Sequence, residues 1–302
     1  MPEISIHGRR FAYREAGDKG PTVLLVHGIT NSSATWAPVT ERLAARGMHV
    51  LAPDIAGHGE SERQRGDHSL GAHASILRDF LSVKDVDRAT IVGHSLGGGL
   101  VMQFSYQFPE MAERMVLVAS GGLGREVSLA IRAATLPFAE DVLGVATSWP
   151  VTRAVGAVGG ALSRVGLSPG GDVEEMVRGL GSLSDRERRH AFVRTAKSVI
   201  TPRGQRVAAT DKLYLAADLP TMLVAGRHDH VIPVEHTRAA GALMPGSKLT
   251  IFEDSGHFPH LNEPDRFADL LAGFVKDTKP AKYDRATARR RIIEGPPTVE
   301  GG

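Results

Sequence analysis

The residue with the clearest chemical potential is Ser95, in the run Gly93-His94-Ser95-Leu96-Gly97. The run follows an apolar stretch at 90–92 and opens a predicted helix at 97–108. G-x-S-x-G between a strand and a helix is typical of a nucleophile elbow, a sharp turn that holds its serine in a strained backbone conformation. The helix N-terminus supplies free amides and a partial positive charge. A glycine-rich turn with an incidental serine is the competing interpretation, and the flanking strand and helix favour the nucleophile.

Two further motifs could supply a base and an acid for this serine. Ser255-Gly256-His257 follows an apolar run at 249–252, and Asp229 follows another at 222–225. An imidazole can take up the serine proton, while a carboxylate holds the ring in one tautomer and stabilises the imidazolium. We therefore predict His257 as the base and Asp229 as the acid. His260 is the local competitor for the role of base, but it lacks the preceding glycine.

A metal site is the alternative interpretation of the Asp229 segment. His228 and His230 flank the carboxylate, but no further ligand cluster with matching spacing accompanies them. The chain also has no cysteine, which excludes disulfides, thiolate nucleophiles and thiolate metal ligands. We expect no metal.

A fourth motif, His27-Gly28-Ile29-Thr30, follows the apolar run at 23–26. A tetrahedral oxyanion needs two donors, and one usually comes from the loop after an earlier strand. We assign the backbone amides of Ile29 and Leu96 to this role, although the dipeptide alone would also fit a plain strand-end turn. The residues beside these motifs that we predict to contact substrate are Gly28, Thr30, Val231 and Phe258.

These motifs need a framework that brings distant segments together. Short apolar runs that do not alternate are typical of strands covered on both faces, and they recur at 23–26, 49–52, 90–92, 115–118, 222–225 and 249–252. Helical patterns lie between or after them, at 34–46, 71–81, 97–108, 233–242 and 264–276. The alternation predicts an α/β fold with a mostly parallel central sheet flanked by helices. An antiparallel hairpin is expected at 3–7 and 10–16.

The strand–helix alternation lapses between about residues 121 and 209. This segment has no strand-like run and is predicted to form several helices, with amphipathic spacing clearest at 173–180 and 191–200. We predict a core at 1–120 and 210–276, an inserted helical cap at 121–209, and a disordered basic tail at 277–302.

Composition excludes several other classes of protein. The formal net charge is only +2, from 36 basic and 34 acidic residues, which argues against a nucleic-acid partner. No basic segment leads into an apolar run at the N-terminus, so no secretory signal is predicted. The longest apolar stretch, 142–167, is interrupted by Pro150, Arg153 and Arg164 and is not expected to span a bilayer. A cytoplasmic enzyme is the expectation, and a homodimer stays open.

The motifs in the chain order Ser95, Asp229, His257 resemble those of cap-bearing α/β-hydrolases. That group includes esterases, carbon–carbon bond hydrolases, epoxide hydrolases and haloalkane dehalogenases, and the resemblance covers roughly residues 3–276. It implies a site between sheet and cap, an acid after the seventh strand, and no cofactor. The run from Pro53 to Ser61 resembles the family's loop after the fourth strand, and we interpret its Asp54, together with His94 and Trp36, as structural.

The resemblance narrows the expected reaction. Epoxide hydrolases and dehalogenases of this fold carry an aspartate at the elbow, so Ser95 disfavours both. We expect a serine hydrolase that cleaves a small-molecule carboxylic ester, or a related acyl compound, through an acyl-enzyme intermediate. Hydrolysis of carbon–carbon bonds in ring-cleavage products by the same triad is the alternative. Hydroxynitrile lyases and cofactor-free oxygenases are less favoured, and a non-catalytic ligand-binding protein is the alternative from another class.

The cap could decide between an ester and an acidic ring-cleavage product. Inward-facing cations would favour an acidic dienoate, although helical arginines usually point to water. The candidates are Arg178, Arg186, Arg188, Arg189 and Arg194. Small apolar residues between 142 and 167 could line an acyl pocket or simply pack against the core.

Overall fold

An eight-stranded sheet forms the centre of the computed structural model, which describes residues 1–63, 66–149, 151–153 and 171–296. Within these ranges the strands are β1 (Glu3–Ile6), β2 (Arg9–Ala16), β3 (Thr22–Val26), β4 (His49–Pro53), β5 (Ala89–His94), β6 (Ala112–Val118), β7 (Ile200–Thr201), β8 (Gly204–Gln205), β9 (Thr221–Gly226) and β10 (Lys248–Phe252). The order across the sheet is β1-β2-β4-β3-β5-β6-β9-β10, and every pairing from β4 to β10 is parallel. The predicted fold class, a mostly parallel α/β sheet, is confirmed.

Helices cover both faces of this sheet. The helices within the described residues, on the sheet or beside it, include α1 (Ala37–Ala44), α2 (Leu70–Val83), α3 (Leu96–Gln107), α4 (Leu129–Ala133), α5 (Ala139–Ala146), α6 (Gly171–Ser182), α7 (Arg186–Val199), α8 (Val234–Leu243), α9 (Pro259–Asn262), α10 (Pro264–Asp277) and α11 (Arg285–Glu294), with short 3-10 turns at Ser33–Trp36 and Leu213–Ala216. One core cluster joins the sheet to α2, α3 and α8, and a second joins it to α1 and α10.

Strand β3 shows why the apolar runs do not alternate. Successive side chains of a strand point to opposite faces, so Leu24 and Val26 enter one core while Val23 and Leu25 enter the other. All four are fully buried. A sheet with helices on both faces therefore requires apolar residues at every position.

Helices α4 to α7 lie between β6 and β9 in the chain, within the segment predicted as a cap. The expectation that this segment contains no strand is wrong, because β7 and β8 pair there as a small antiparallel hairpin. Each of these strands has two residues, too few to produce an apolar run in the sequence. The apolar cap residues named above lie partly at 154–170, outside the described residues.

The expectation of a disordered tail from residue 277 is also wrong over its first part. Helix α11 occupies Arg285–Glu294, and the Asp284 side chain caps it by accepting hydrogen bonds from the Ala286 and Thr287 amides. Arginine and alanine favour helices even without large apolar residues. An ion pair of 2.5 Å joins Arg291 of α11 to Asp218, a surface residue in the segment before β9. Residues 297–302 are outside the described part.

In the described parts of the chain, no helix combines the length and the apolar character that crossing a bilayer requires.

Candidate active site

Ser95 lies between β5 and α3, in the turn that the sequence predicts. Its backbone has φ 55° and ψ −117°, a conformation that L-residues rarely adopt. Gly93 and Gly97 face each other across this turn, and a Cβ atom on Gly93 would overlap the Gly97 carbonyl. The Ser95 N–H donates to the Val118 carbonyl at 3.0 Å, which anchors the turn to the neighbouring strand. The structure thus has the strained strand–turn–helix geometry of a nucleophile elbow.

His257 and Asp229 form a buried hydrogen-bonded pair. The His257 Nδ1 atom is 2.8 Å from Asp229 Oδ2, and both side chains are less than a tenth exposed. The other carboxylate oxygen, Asp229 Oδ1, accepts the Val231 and Ile232 amides at 2.7 and 2.9 Å. Because these amides fix the carboxylate, Oδ2 faces the ring and favours the tautomer that carries its proton on Nδ1. The unprotonated Nε2 is then free to act as a base.

The elbow also contacts the loop that carries His257. His94 Nε2 donates to the His257 carbonyl at 2.8 Å, and the two rings lie 4.8 Å apart. Burial, followed by the nearby His260 and His257 rings, holds the pKa of His94 well below its usual value, so His94 is a neutral structural donor. Ser95 and His257 line the same cavity, without a direct hydrogen bond between their side chains among the described contacts. Such bonds commonly tighten only when substrate is bound.

Two backbone amides near Ser95 are candidates for an oxyanion site. Leu96 is the first residue of α3, so its N–H has no acceptor within the helix. In the described structure, the Ile29 N–H has no protein acceptor either. Gly28 brings the two loops together, since a Cβ atom at this position would lie 3.0 Å from the Ser95 Cβ. Ile29 and Leu96 both line the cavity that contains Ser95, a placement that a pair of oxyanion donors would need.

His27 holds the loop that carries Gly28 and Ile29 in place. Its Nδ1 lies 2.7 Å from the Gly28 carbonyl, and its Nε2 accepts the Ile55 N–H at 2.9 Å. Burial lowers the pKa of His27, and a neutral ring with its proton on Nδ1 satisfies both contacts. Sequence reasoning missed this role of His27, because its partner Ile55 lies in a different loop.

Asp54 and Trp36, which we interpreted as structural from the sequence, hold loops together or pack in the core. Asp54 accepts the Ser33 and Glu60 amides at 2.6 and 2.8 Å. Trp36 is fully buried and packs 4.2 Å from the His260 ring. His260 is fully buried against Thr35 and is not among the residues that line the cavity.

A cavity of about 230 Å³ opens above Ser95. The four residues predicted to contact substrate all line it, namely Gly28, Thr30, Val231 and Phe258. Much of the remaining wall comes from the helices between β6 and β9, with apolar side chains that include Ile131, Val142, Leu143, Met176, Leu180 and Phe192. The sequence could not assign these contacts, because apolar helical residues look the same whether they line a cavity or fill a core.

None of the five cap arginines is among the residues that line this cavity. Arg178 pairs with Glu175, and Arg188 pairs with Glu60. Arg189 donates to the Leu183 and Ser184 carbonyls. Among the described residues, Lys212 is the lysine or arginine that lines the wall; it belongs to the segment after the helices and is exposed.

Buried histidines make the stability of the fold depend on pH. Burial lowers the pKa of His73 to about 4 and that of His260 to about 3, from an ordinary 6.5. The unfolded chain therefore binds more protons below pH 6.5, and stability falls as the pH drops from there towards about 4. We expect the urea midpoint to fall across this range, and less steeply in His73→Leu than in the wild type. An exposed control, His228→Gln, should keep the wild-type slope, and equal slopes in all three proteins would contradict the prediction.

Comparison with known proteins assigns the family. A family model described as "Alpha/beta hydrolase family" matches residues 23–270. The chain belongs to this family, which confirms the resemblance seen in the sequence.

Individual relatives differ in the reactions that their names describe. The uncharacterized protein Rv2715 of Mycobacterium tuberculosis is 43% identical over 96% of this chain and 85% of its own. A 2-hydroxy-6-oxo-2,4-heptadienoate hydrolase of Pseudomonas putida is 28% identical over 85% of this chain and 89% of its own. Among solved structures, a meta-cleavage product hydrolase of Pseudomonas fluorescens has a TM-score of 0.72 at 24% identity, covering 92% and 98% of the two chains. The esterase RhEst1 of Rhodococcus has a TM-score of 0.65 at 25% identity, covering 91% and 97%.

Proposed function

We propose that this chain is a serine hydrolase that cleaves a carboxylic ester, or a related acyl compound, through an acyl-enzyme intermediate. One arrangement carries the proposal. A strained serine, an Asp229–His257 pair and two amides that have no acceptor among the described residues line one apolar cavity. Each of these groups has a defined part in acyl transfer.

In the first half of the reaction, the Ser95 Oγ attacks the carbonyl carbon while His257 Nε2 takes the hydroxyl proton. The carbonyl oxygen becomes an oxyanion that accepts hydrogen bonds from the Ile29 and Leu96 amides. Loss of one such donor typically lowers the rate by about 10²–10³-fold. Collapse of the intermediate breaks the bond to the alcohol, which leaves with the proton from His257.

In the second half, water attacks the acyl-Ser95 ester. His257 takes a proton from the water, and the same two amides stabilise the second oxyanion. Collapse releases the carboxylic acid and returns the proton to Ser95. Throughout, Asp229 stabilises the imidazolium and keeps the ring in one orientation.

The cavity wall favours an apolar acyl group over an acidic substrate. The wall is built largely from aliphatic and aromatic side chains, and the five cap arginines lie elsewhere. Burying apolar substrate surface contributes about 25 cal/mol per Å², whereas a buried carboxylate needs a cation or several donors.

A specific observation keeps carbon–carbon bond hydrolysis as the second candidate. The Pseudomonas putida relative is named as a dienoate hydrolase, and its similarity extends over most of both chains. Lys212 at the cavity wall could pair with a substrate carboxylate. The same triad would serve, with a carbon leaving group in place of an alcohol.

A direct comparison of substrates tests the proposal. We expect p-nitrophenyl esters, from acetate to octanoate, to be hydrolysed with kcat/KM rising with chain length. A 2-hydroxy-6-oxo-dienoate should be turned over at least tenfold less efficiently. A fluorophosphonate probe should label Ser95, as located by peptide mass spectrometry.

Each other outcome has a distinct meaning. Faster turnover of the dienoate would replace the ester proposal with carbon–carbon bond hydrolysis. Labelling of Ser95 without turnover of any ester or dienoate would favour a ligand-binding protein. Failure to label Ser95 would contradict both enzymatic proposals.

A further inference from the structure

Helix α6 reaches both sides of the candidate active site. Asp172, in its first turn, accepts the backbone N–H of His257 at 2.5 Å. About 15 Å further along the helix axis, the Ser182 hydroxyl donates to the Gly179 carbonyl of the same helix at 2.6 Å and lies 3.4 Å from the carbonyl of Thr30, in the loop that carries Ile29. Met176 and Leu180, one and two turns after Asp172 on the same face, line the cavity between these ends.

We propose that Asp172 is a positioning residue that holds the catalytic His257 from the cap side. The proposal rests on the function proposed above. His257 is then fixed at three points by three separate parts of the chain. Its ring is held by Asp229, its carbonyl by His94 and its N–H by Asp172.

The hydrogen bond from the His257 N–H to the Asp172 carboxylate is expected to be strong. A carboxylate that accepts a backbone N–H makes a charge-assisted hydrogen bond, roughly twice as strong as a neutral one. The side-chain amide of Asn262 is oriented with its nitrogen towards two acceptors. It donates to Asp172 Oδ1 at 3.1 Å and to the Phe258 carbonyl at 3.0 Å. Asp172 therefore contacts the His257 loop through one oxygen and the end of α9, the helix that follows this loop, through the other.

Gly256, the residue before His257, leaves room for the close approach of the Asp172 carboxylate. A Cβ atom on Gly256 would overlap the Asp172 Oδ2 atom. Any larger residue at 256 would push the carboxylate away from the His257 N–H. Gly256 and Asp172 should therefore act as one unit, although they lie in different parts of the sequence.

The test compares Asp172→Ala, Asp172→Asn and Gly256→Ala in the full-length protein. We expect Asp172→Ala to lower kcat by about 10–100-fold, because a displacement of a catalytic ring by about 1 Å has a cost of this size. KM should stay nearly unchanged, because Asp172 is not among the residues that line the cavity. Asp172→Asn keeps an acceptor oxygen and should recover part of the loss. Glu174→Ala, which removes an exposed carboxylate from the same helical turn, is the matched control and should behave as the wild type.

A double-mutant cycle separates positioning from general damage. Gly256→Ala should lower kcat in the wild type but cost little in the Asp172→Ala background, because the atom it would overlap is gone. Additive losses would overturn the proposal. So would an unchanged kcat in Asp172→Ala, or an effect confined to KM.

The rate of fluorophosphonate labelling gives a readout that does not need an ester substrate. It should fall in Asp172→Ala by a factor similar to that for kcat, with the thermal midpoint close to that of Glu174→Ala. If the wild type is labelled but hydrolyses no ester, the proposed function fails, and the labelling rates still decide the role of Asp172. Equal labelling rates in wild type and Asp172→Ala would overturn that role.

Discussion

Ser95→Ala should lower the turnover of p-nitrophenyl butyrate by on the order of 10⁶-fold, the loss typical when a catalytic serine is removed from a triad. The change deletes the attacking oxygen and leaves the strained turn in place, since the Ser95 N–H still reaches the Val118 carbonyl. No other group in the mechanism can form the acyl ester. Initial rates at saturating substrate, together with the thermal midpoint, measure the effect.

Ser105→Ala provides the matched control for this substitution. Ser105 is buried in the same helix that follows the elbow, and its hydroxyl donates to the Met102 carbonyl at 2.8 Å, outside the main cavity. The Ser105→Ala substitution also removes a serine hydroxyl, but one that takes no part in the proposed chemistry. This variant should therefore keep the wild-type kcat. A Ser95→Ala protein within tenfold of the wild type would refute the assignment of the nucleophile.

Asp229→Asn should lower kcat by about 10⁴-fold through the tautomer of His257. The Val231 and Ile232 amides donate to Oδ1, so the asparagine will place its oxygen there and its NH₂ group towards His257. A donor facing Nδ1 forces the ring proton onto Nε2. The base then has no lone pair for the serine proton, although the fold is preserved.

The control for this change is Asp254→Asn, which alters an exposed aspartate close to His257 in sequence. It should leave kcat and its pH profile unchanged. The rate of fluorophosphonate labelling should fall in Asp229→Asn and not in Asp254→Asn. Similar activities in the two variants would show that Asp229 does not act as the acid.

The sequence was informative where a motif constrains the backbone directly. The glycines around Ser95 are needed because the turn leaves no room for side chains, so their spacing, together with the flanking strand and helix, indicated the elbow. The apolar runs indicated the parallel sheet because both of its faces are buried. The strand ends then located the loops of Asp229 and His257.

The sequence was uninformative where a contact depends on how separate segments pack. Asp172 resembles any acidic residue at the start of a helix, and only the tertiary structure brings it to the His257 amide. The directions of the cap arginines were undecided for the same reason. Helix α11 was missed because its composition suggested disorder, while its Asp284 cap and its ion pair with Asp218 stabilise it.

The start of helix α3 has a consequence for how the protein unfolds. Gly97, Gly98 and Gly99 follow Leu96, and each glycine costs up to about 1 kcal/mol of helix stability relative to alanine. Gly97 lies against the carbonyls of Val26 and His27, and Gly98 lies against Ser120, so neighbouring segments hold this end of the helix in shape. Denaturation that loosens the strands should therefore abolish catalysis at the same denaturant concentration, which makes enzymatic rate a sensitive reporter of an intact core.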